Sequence, residues 1–285
     1  GTALDISGSA RVTQGLSSAS YLSPFASGYR NRIINGSMGI AQRGTSFSSP
    51  ASNSYTLDRW VVYSTGTAPA TVAQVAGPTG YRYAAQMTGT AGNTQAALVQ
   101  KIESYNCSDL SGQTITIQAN ISVSSAQTVA WNLYYPSAQD NWSSITAITS
   151  GTWSATTTAT TFTATITGLP SGVTNGLQLA IYPQNGGAFT SGTITITGVQ
   201  LELGSVATPF EVRSLGVEAV LCQRYYETGV GNIGGYTSGG IGNYFHLGWK
   251  VSKRTTPTLT YAIASTANVG TYNIENCDTW GADWY

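Results

Sequence analysis

Apolar side chains recur at every second position over much of the sequence beyond about residue 55. The clearest tract is Gln113 to Val123, where Ile115, Ile117, Ala119, Ile121 and Val123 alternate with polar residues. Successive side chains of an extended chain point to opposite faces, so this tract predicts a strand with one buried and one wet face. The same spacing returns in Val129, Trp131, Leu133 and Tyr135, in Phe162, Ala164 and Ile166, and in Leu177, Leu179 and Ile181. Turn signals separate these tracts: Ser111-Gly112, Leu169-Pro170-Ser171-Gly172 and Asn185-Gly186-Gly187. Many short strands punctuated by Gly and Pro predict an all-β sandwich or barrel.

Two irregularities add detail. Ile194 and Ile196 keep one phase, while Val199, Leu201 and Leu203 keep the other. A regular strand would turn one set outward, so a β-bulge at Gly198 is predicted, glycine being the residue that tolerates such a backbone. A short helix is expected after the sandwich, with Ser214 as N-cap, Glu218 in the first turn and an apolar stripe of Val217, Val220, Leu221 and Tyr225. Beyond a Gly-rich stretch at 229–243, Phe245, Leu247, Trp249 and Val251 alternate, and Leu259, Tyr261 and Ile263 follow Pro257. These predict a second, smaller β unit. Residues 1–30 show no sustained alternation and read as a linker or inter-subunit segment.

Charged residues make up only 8% of the 285, against a typical ~25%. With 41% apolar and 11% aromatic residues the chain still has the material for a core, so disorder is excluded. Twelve basic and twelve acidic residues give a net charge of zero, which leaves no long-range field to gather nucleic acid or anionic lipid. No apolar run approaches the ~20 residues of a membrane-spanning helix, and no secretory leader is recognisable at Gly1. The missing initial Met and the aromatic ending at Trp280, Trp284 and Tyr285 suggest a fragment of something longer. Cys107, Cys222 and Cys277 fit neither a disulfide framework nor a zinc site, and are expected to be free, mostly buried thiols of a chain folded in a reducing cytoplasm.

Catalytic signals are weak. Gly229-x-Gly231-x-x-Gly234 follows a helix instead of a strand and reads as a loop, not a dinucleotide site. His246, the only histidine, sits at a polar strand position with no nucleophile motif beside it. Glycosidase chemistry needs two carboxylates across one bond, and no such pair can be placed among so few acids. No catalytic residue, metal ligand or cofactor is therefore assigned. Aromatic residues offer a different chemistry, because a flat ring stacks on a sugar face while amides and carboxylates bond its hydroxyls. Trp131 and Trp249 lie in the inward phase of strands and are expected in the core. Asp140, Asn141 and Trp142 stand in a polar loop with no core pattern, and Tyr182, Gln184 and Asn185 form a second such loop. These six are the candidate carbohydrate-binding residues.

The tract Asn31-Arg32-Ile33-Ile34-Asn35-Gly36-Ser37-Met38-Gly39-Ile40-Ala41-Gln42-Arg43-Gly44, followed by Tyr55-Thr56-Leu57-Asp58-Arg59-Trp60, resembles the opening of sandwich domains in bacteriophage tail-fibre proteins. The stretch Val199 to Gly204, then Ala207 to Glu211, then Leu221-Cys222-Gln223-Arg224-Tyr225-Tyr226, is similar to their ending. Lys253 to Thr258 looks like their distal unit. The resemblance covers roughly 31–260 and implies an antiparallel jelly-roll like those of carbohydrate-binding modules over 31–212, a connecting helix over 213–228 and a distal β unit over 229–285. It further implies a non-enzymatic, homotrimeric receptor-binding component of the virion tail, in contact with other tail proteins and with host cell-surface glycan. Val217, Val220, Leu221 and Tyr225 would then line the trimer interface. The alternatives are a structural spacer without a ligand and, less favoured, a polysaccharide depolymerase.

Overall fold

The structure, a computed structural model, describes residues 29–229, 245–260 and 274–284. In chain order the first strands are β1 (Ser46–Phe47), β2 (Ser54–Tyr55), β3 (Trp60–Gly66), β4 (Thr71–Ala76), β5 (Tyr83–Thr88), β6 (Asn93–Ile102) and β7 (Ile115–Val123). They continue with β8 (Gln127–Ala138), β9 (Asn141–Ala155), β10 (Thr160–Ile166), β11 (Leu177–Tyr182) and β12 (Thr193–Leu203). Two antiparallel sheets result, ordered β1-β4-β5-β12-β7-β10 and β2-β3-β6-β11-β8-β9. The chain changes sheet at most connections, including β3 to β4, β6 to β7, β7 to β8 and β11 to β12, which wraps it into a jelly-roll β-sandwich.

The inner faces hold the core that the alternation predicts. Ile115, Ile117, Ala119, Ile121 and Val123 of β7 meet Val129, Trp131 and Leu133 of β8 and Leu177, Leu179 and Ile181 of β11 in one buried cluster. Each fully buried Leu or Ile there contributes about 1.5–3 kcal/mol. On β12 the register shifts between Thr197 and Gln200, and Gly198 takes φ +58°. Ile194, Ile196, Val199 and Leu201 consequently all stay in that cluster, so the bulge restores facing as expected.

One end of the sandwich is closed by the tract that opens the resemblance. Asn31 donates from Nδ2 to Val199 O at 3.1 Å, and its Oδ1 accepts from Ile33 N and Leu201 N. Gln100 binds Ile34 through both amide atoms at 2.8 Å. Asn35, with φ +59°, spans Ile40 and Asp58, and Trp60 Nε1 donates to its carbonyl. A Cβ on Gly36 would lie 2.2 Å from Val199 O, so this close backbone approach requires glycine. These buried polar side chains have backbone partners, which identifies the motif as a bolt between the sheets.

The helix α1 (Leu215–Gln223) is shorter than its stripe suggested, and Tyr225 lies beyond its end. Ser214 occupies the N-cap without a side-chain capping bond, and Glu218 in the first turn accepts from Arg213 and from the backbone N–H of Asn35. Cys222, with Ala219 and Leu221 at its side, packs against Ile34 and Ile40 of the bolt. Further on, β13 (Phe245–Gly248), β14 (Ile274–Cys277) and β15 (Gly281–Trp284) form a small sheet ordered β13-β15-β14. Its first strand ends before Trp249, which is half-buried with Nε1 donating to Asp278 O and is not the core residue its phase suggested. His246 is exposed. Residues 1–28, the rest of the Gly229-x-Gly231-x-x-Gly234 stretch and Tyr261 to Ile263 lie outside the described residues. All three cysteines are free, with Cys107 and Cys222 buried and Cys277 half-buried.

Candidate functional site

Three strands are apolar on both faces. Val61, Ala97, Val99 and Ala180 are buried on the side of the second sheet that faces away from the sandwich core, with Tyr63, Tyr134 and Tyr182 packed around them. Val99 and the three tyrosines of this patch, with Ala130 of β8, line a groove of about 590 Å³. Its cross-strand rows are set by the ladder: Lys101, Gln178 and Tyr134 lie side by side, then Val99, Ala180, Asn132 and Ser150, then Tyr182, Ala130 and Thr152. Alternate residues along a strand are about 6.6 Å apart, so polar groups recur at that interval over an apolar strip. The volume lies within the roughly 300–1,000 Å³ range of small-ligand sites.

The walls come from two places. The long β8–β9 hairpin has register shifts at Leu133/Tyr134 and at Pro136/Ala138, and such bulges bend a ribbon. Trp142 and Ile145 near its tip line the groove. Trp142 is a strand residue, not the loop residue expected, and its ring is half-buried close to Gly176, with Lys101 Nζ 5.8 Å from the ring centroid. At the other end β11 finishes at Tyr182 and the chain turns through Pro183–Gly186, with Gln184 and Asn185 both at φ +53°. Tyr182, Asn185 and Gly186 line the groove there.

Trp142, Tyr182 and Asn185, picked from two separate stretches of sequence, thus border one groove. The other three candidates do not. Asp140 sits in the hairpin turn at φ +54°, and its carboxylate accepts from Ser104 N at 2.8 Å and Ser104 Oγ at 2.9 Å, a tie that holds the turn to the chain after β6. Asn141 accepts from Ser143 N in a local turn. Gln184 is outside the lining, and its backbone N–H donates to Gln127 Oε1 at 3.1 Å. Sequence reasoning missed Tyr63, Val99, Lys101, Asn132, Tyr134 and Gln178. Their signal was present in the unbroken apolar runs Val61-Val62 and Ala96-Ala97-Leu98-Val99, which mark strands covered on both faces.

The tyrosines supply hydroxyls. Burial, then the hydrogen bond with Tyr134 and its neighbourhood with Tyr63, pushes the Tyr182 phenol well up from its usual range. Asn132 Nδ2 donates to Tyr134 Oη at 2.7 Å. Among the lining residues there is no Asp, Glu, His or Cys.

A smaller hollow of about 290 Å³ adjoins the groove and shares Lys101 and Trp142 with it. Tyr55, Arg59, Glu103, Tyr225 and Arg254 complete its lining. Tyr225 Oη donates to Glu103 at 2.7 Å, and Arg224 grips the same carboxylate at 2.8 and 3.2 Å. Burial alone would raise the Glu103 carboxyl, but the bonds from Arg224 and Tyr225 and the nearby charges outweigh it and hold it below its usual range. The Arg59 guanidinium stacks on the Tyr225 ring at 3.5 Å. Tyr225 is therefore engaged by Glu103 and Arg59 of its own chain.

No protein-family model and no curated protein matches the sequence. Among solved structures the chain is similar, over 62% of its length, to the enzymatically active domain of tailspike protein 4 of bacteriophage CBA120, with TM-score 0.43 and 17% identity. The similar part is 22% of that tailspike chain. A CBM4 structure is similar over 60% of this chain and 99% of its own, with TM-score 0.41 and 18% identity. TmCBM61 in complex with β-1,4-galactotriose is similar over 62% and 100%, with TM-score 0.38 and 13% identity. The structural neighbours thus include carbohydrate-binding modules and a phage tailspike domain. Likeness at this level assigns no activity, and the sandwich is recognised from its own topology.

Proposed function

We propose that this chain is a non-enzymatic glycan-binding module of a phage tail fibre, and that the groove on the second sheet holds cell-surface glycan. The observation that carries the reading is the groove itself: an apolar floor at Val99 and Ala130, aromatic borders at Trp142, Tyr134 and Tyr182, and amides at Asn132, Gln178 and Asn185. Apolar faces of sugar rings stack on such aromatics while the hydroxyls meet amides and phenols. The fibre context, with its virion location, homotrimer and tail-protein partners, rests on the motifs of 31–60 and 199–226, which here build the bolt and the helix docked on it.

Glycan-array binding by the whole chain, repeated with Trp142→Ala and Tyr182→Ala, tests the reading. Loss of one wall is expected to weaken binding by about ten-fold or more while the melting temperature stays within a few degrees. An array without a ligand, or ligands bound equally by both folded variants, overturns the groove and leaves a structural spacer as the function. Release of reducing ends from a bound polymer would overturn the non-enzymatic part.

A further inference from the structure

Charge is scarce in this protein, with 8% charged residues and no net excess, yet the hollow at the Trp142 end of the groove gathers cations. Arg59, Lys101 and Arg254 line it, against one carboxylate, Glu103. That carboxylate is already engaged by Arg224 and Tyr225. Among the described residues none of Arg59, Lys101 and Arg254 forms an ion pair.

Each of the three is placed differently. Arg59 is only 4% exposed and is held by Tyr225 beneath its guanidinium and by the Lys101 carbonyl, yet its Nε is buried with no acceptor. Lys101 projects from β6 beside Trp142, and its ammonium makes no hydrogen bond among the described residues. Burial, and then the like charge of Arg59, lowers the Lys101 pKa. Arg254 is exposed at the rim, its backbone fixed to Arg224 O at 3.1 Å. Holding unpaired cations together in a half-buried hollow is unfavourable unless an anion joins them. Because Lys101 and Trp142 belong to both cavities, an anion in the hollow continues whatever occupies the groove.

Resting on the glycan reading of the groove, we propose that the glycan is acidic, with a sugar carboxylate held between Lys101, Arg59 and Arg254 while its ring lies against Trp142. The neutral rows of the groove take the adjoining sugars. Specificity for charge is then set at one end of the site and shape along the rest.

The test is binding of the whole chain to polygalacturonate, alginate and hyaluronate, each beside its carboxyl-reduced form, and to a phosphodiester-linked teichoic acid. Binding to at least one uronate polymer is expected, falling about ten-fold or more on carboxyl reduction and weakening with added salt. Arg254→Gln, outside the groove lining, should weaken binding of the acidic polymer and leave that of its reduced form unchanged, while Lys101→Met should weaken the acidic polymer more than the reduced one. Neither residue closes the bolt, so a change in melting temperature beyond a few degrees is not expected. Equal binding of a polymer and its reduced form overturns the acidic assignment and leaves the glycan groove standing. Preference for the teichoic acid with the same dependence on Lys101 overturns the carboxylate in favour of phosphate. Binding to none of the seven polymers overturns the acidic assignment, and an empty glycan array beside it removes the groove reading as well.

Discussion

At the residue scale, burial decides what each candidate side chain can do. Cys107 is buried among Glu103, Ser104 and Val173 carbonyls, and burial, followed by the charge of Asp140, pushes its thiol up to about 12. Cys222 is raised further, again mainly by burial, on the side of the helix that faces Ile34 and Ile40. A thiol in that state supplies almost no thiolate at about pH 8, the species that attacks disulfide reagents. Cys277 also has its pKa raised, by burial and then Asp278, but it is only half-buried and is the one of the three within reach of a reagent. A thiol-exchange reagent should therefore titrate one cysteine per native chain and three in denaturant; native labelling of Cys107 or Cys222 at the rate of Cys277 would contradict the packing. Free thiols were legible from their odd count and spacing. Asp140 was not legible as a structural tie, because its Ser104 partner lies 36 residues away and no local pattern signals such a bond.

Elements show where sequence periodicity works and where it stops. The phase slip around Gly198 identified a bulge because the core imposes one face on β12 and only an extra residue reconciles the two halves. Gly198 has φ +58°, and a Cβ there would meet Tyr81 Oη at 2.4 Å. Gly198→Ala should lower stability by about 2 kcal/mol, part from the left-handed backbone and part from displacing Tyr81, a fall in Tm of roughly 4–8 °C. Gly168→Ala separates the two, since Gly168 has φ +63° with open space around it, and should show the backbone part alone. Equal losses at both sites would mean that Tyr81 yields freely. The β8–β9 hairpin marks the limit of such reading. Its outer part, Asn141 to Ala147, is mostly exposed, so no apolar alternation survives to announce a strand, and Trp142 passed for a loop residue. The groove floor was hidden for the opposite reason: β6 and β11 are covered on both faces, and their doubled apolar runs show burial without showing that one face lines a cavity.

At the scale of the whole molecule the sandwich, its bolt and the short helix account for most of the apolar surface, but not for one tract. Between residues 206 and 220, Val206 is 73% exposed, Val212 83%, Leu215 70% and Val220 49%. Single exposed aliphatic residues are ordinary on any protein. Four in so short a stretch, two of them on a nine-residue helix, are not explained by scatter. A helix of that length has no stability of its own in water and holds only by packing. Its inward side, Cys222 with Ala219 and Leu221, already rests on Ile34 and Ile40, and Tyr225 rests on Glu103 and Arg59. The apolar stripe is thereby divided: Leu221 and Tyr225 turn to their own chain, while Val220, like the neighbouring Leu215, faces outward. Further copies of the same chain are the occupants that the fibre resemblance names, and closed three-fold symmetry lets one patch per chain be buried without leaving a free edge. Native mass spectrometry of the whole chain is expected to give three chain masses, and Leu215→Asp combined with Val220→Asp to give one, with the sandwich still melting cooperatively because neither residue touches its core. A wild-type chain that remains a monomer at micromolar concentration, or a double variant that stays trimeric, would show that this tract is not where the subunits meet.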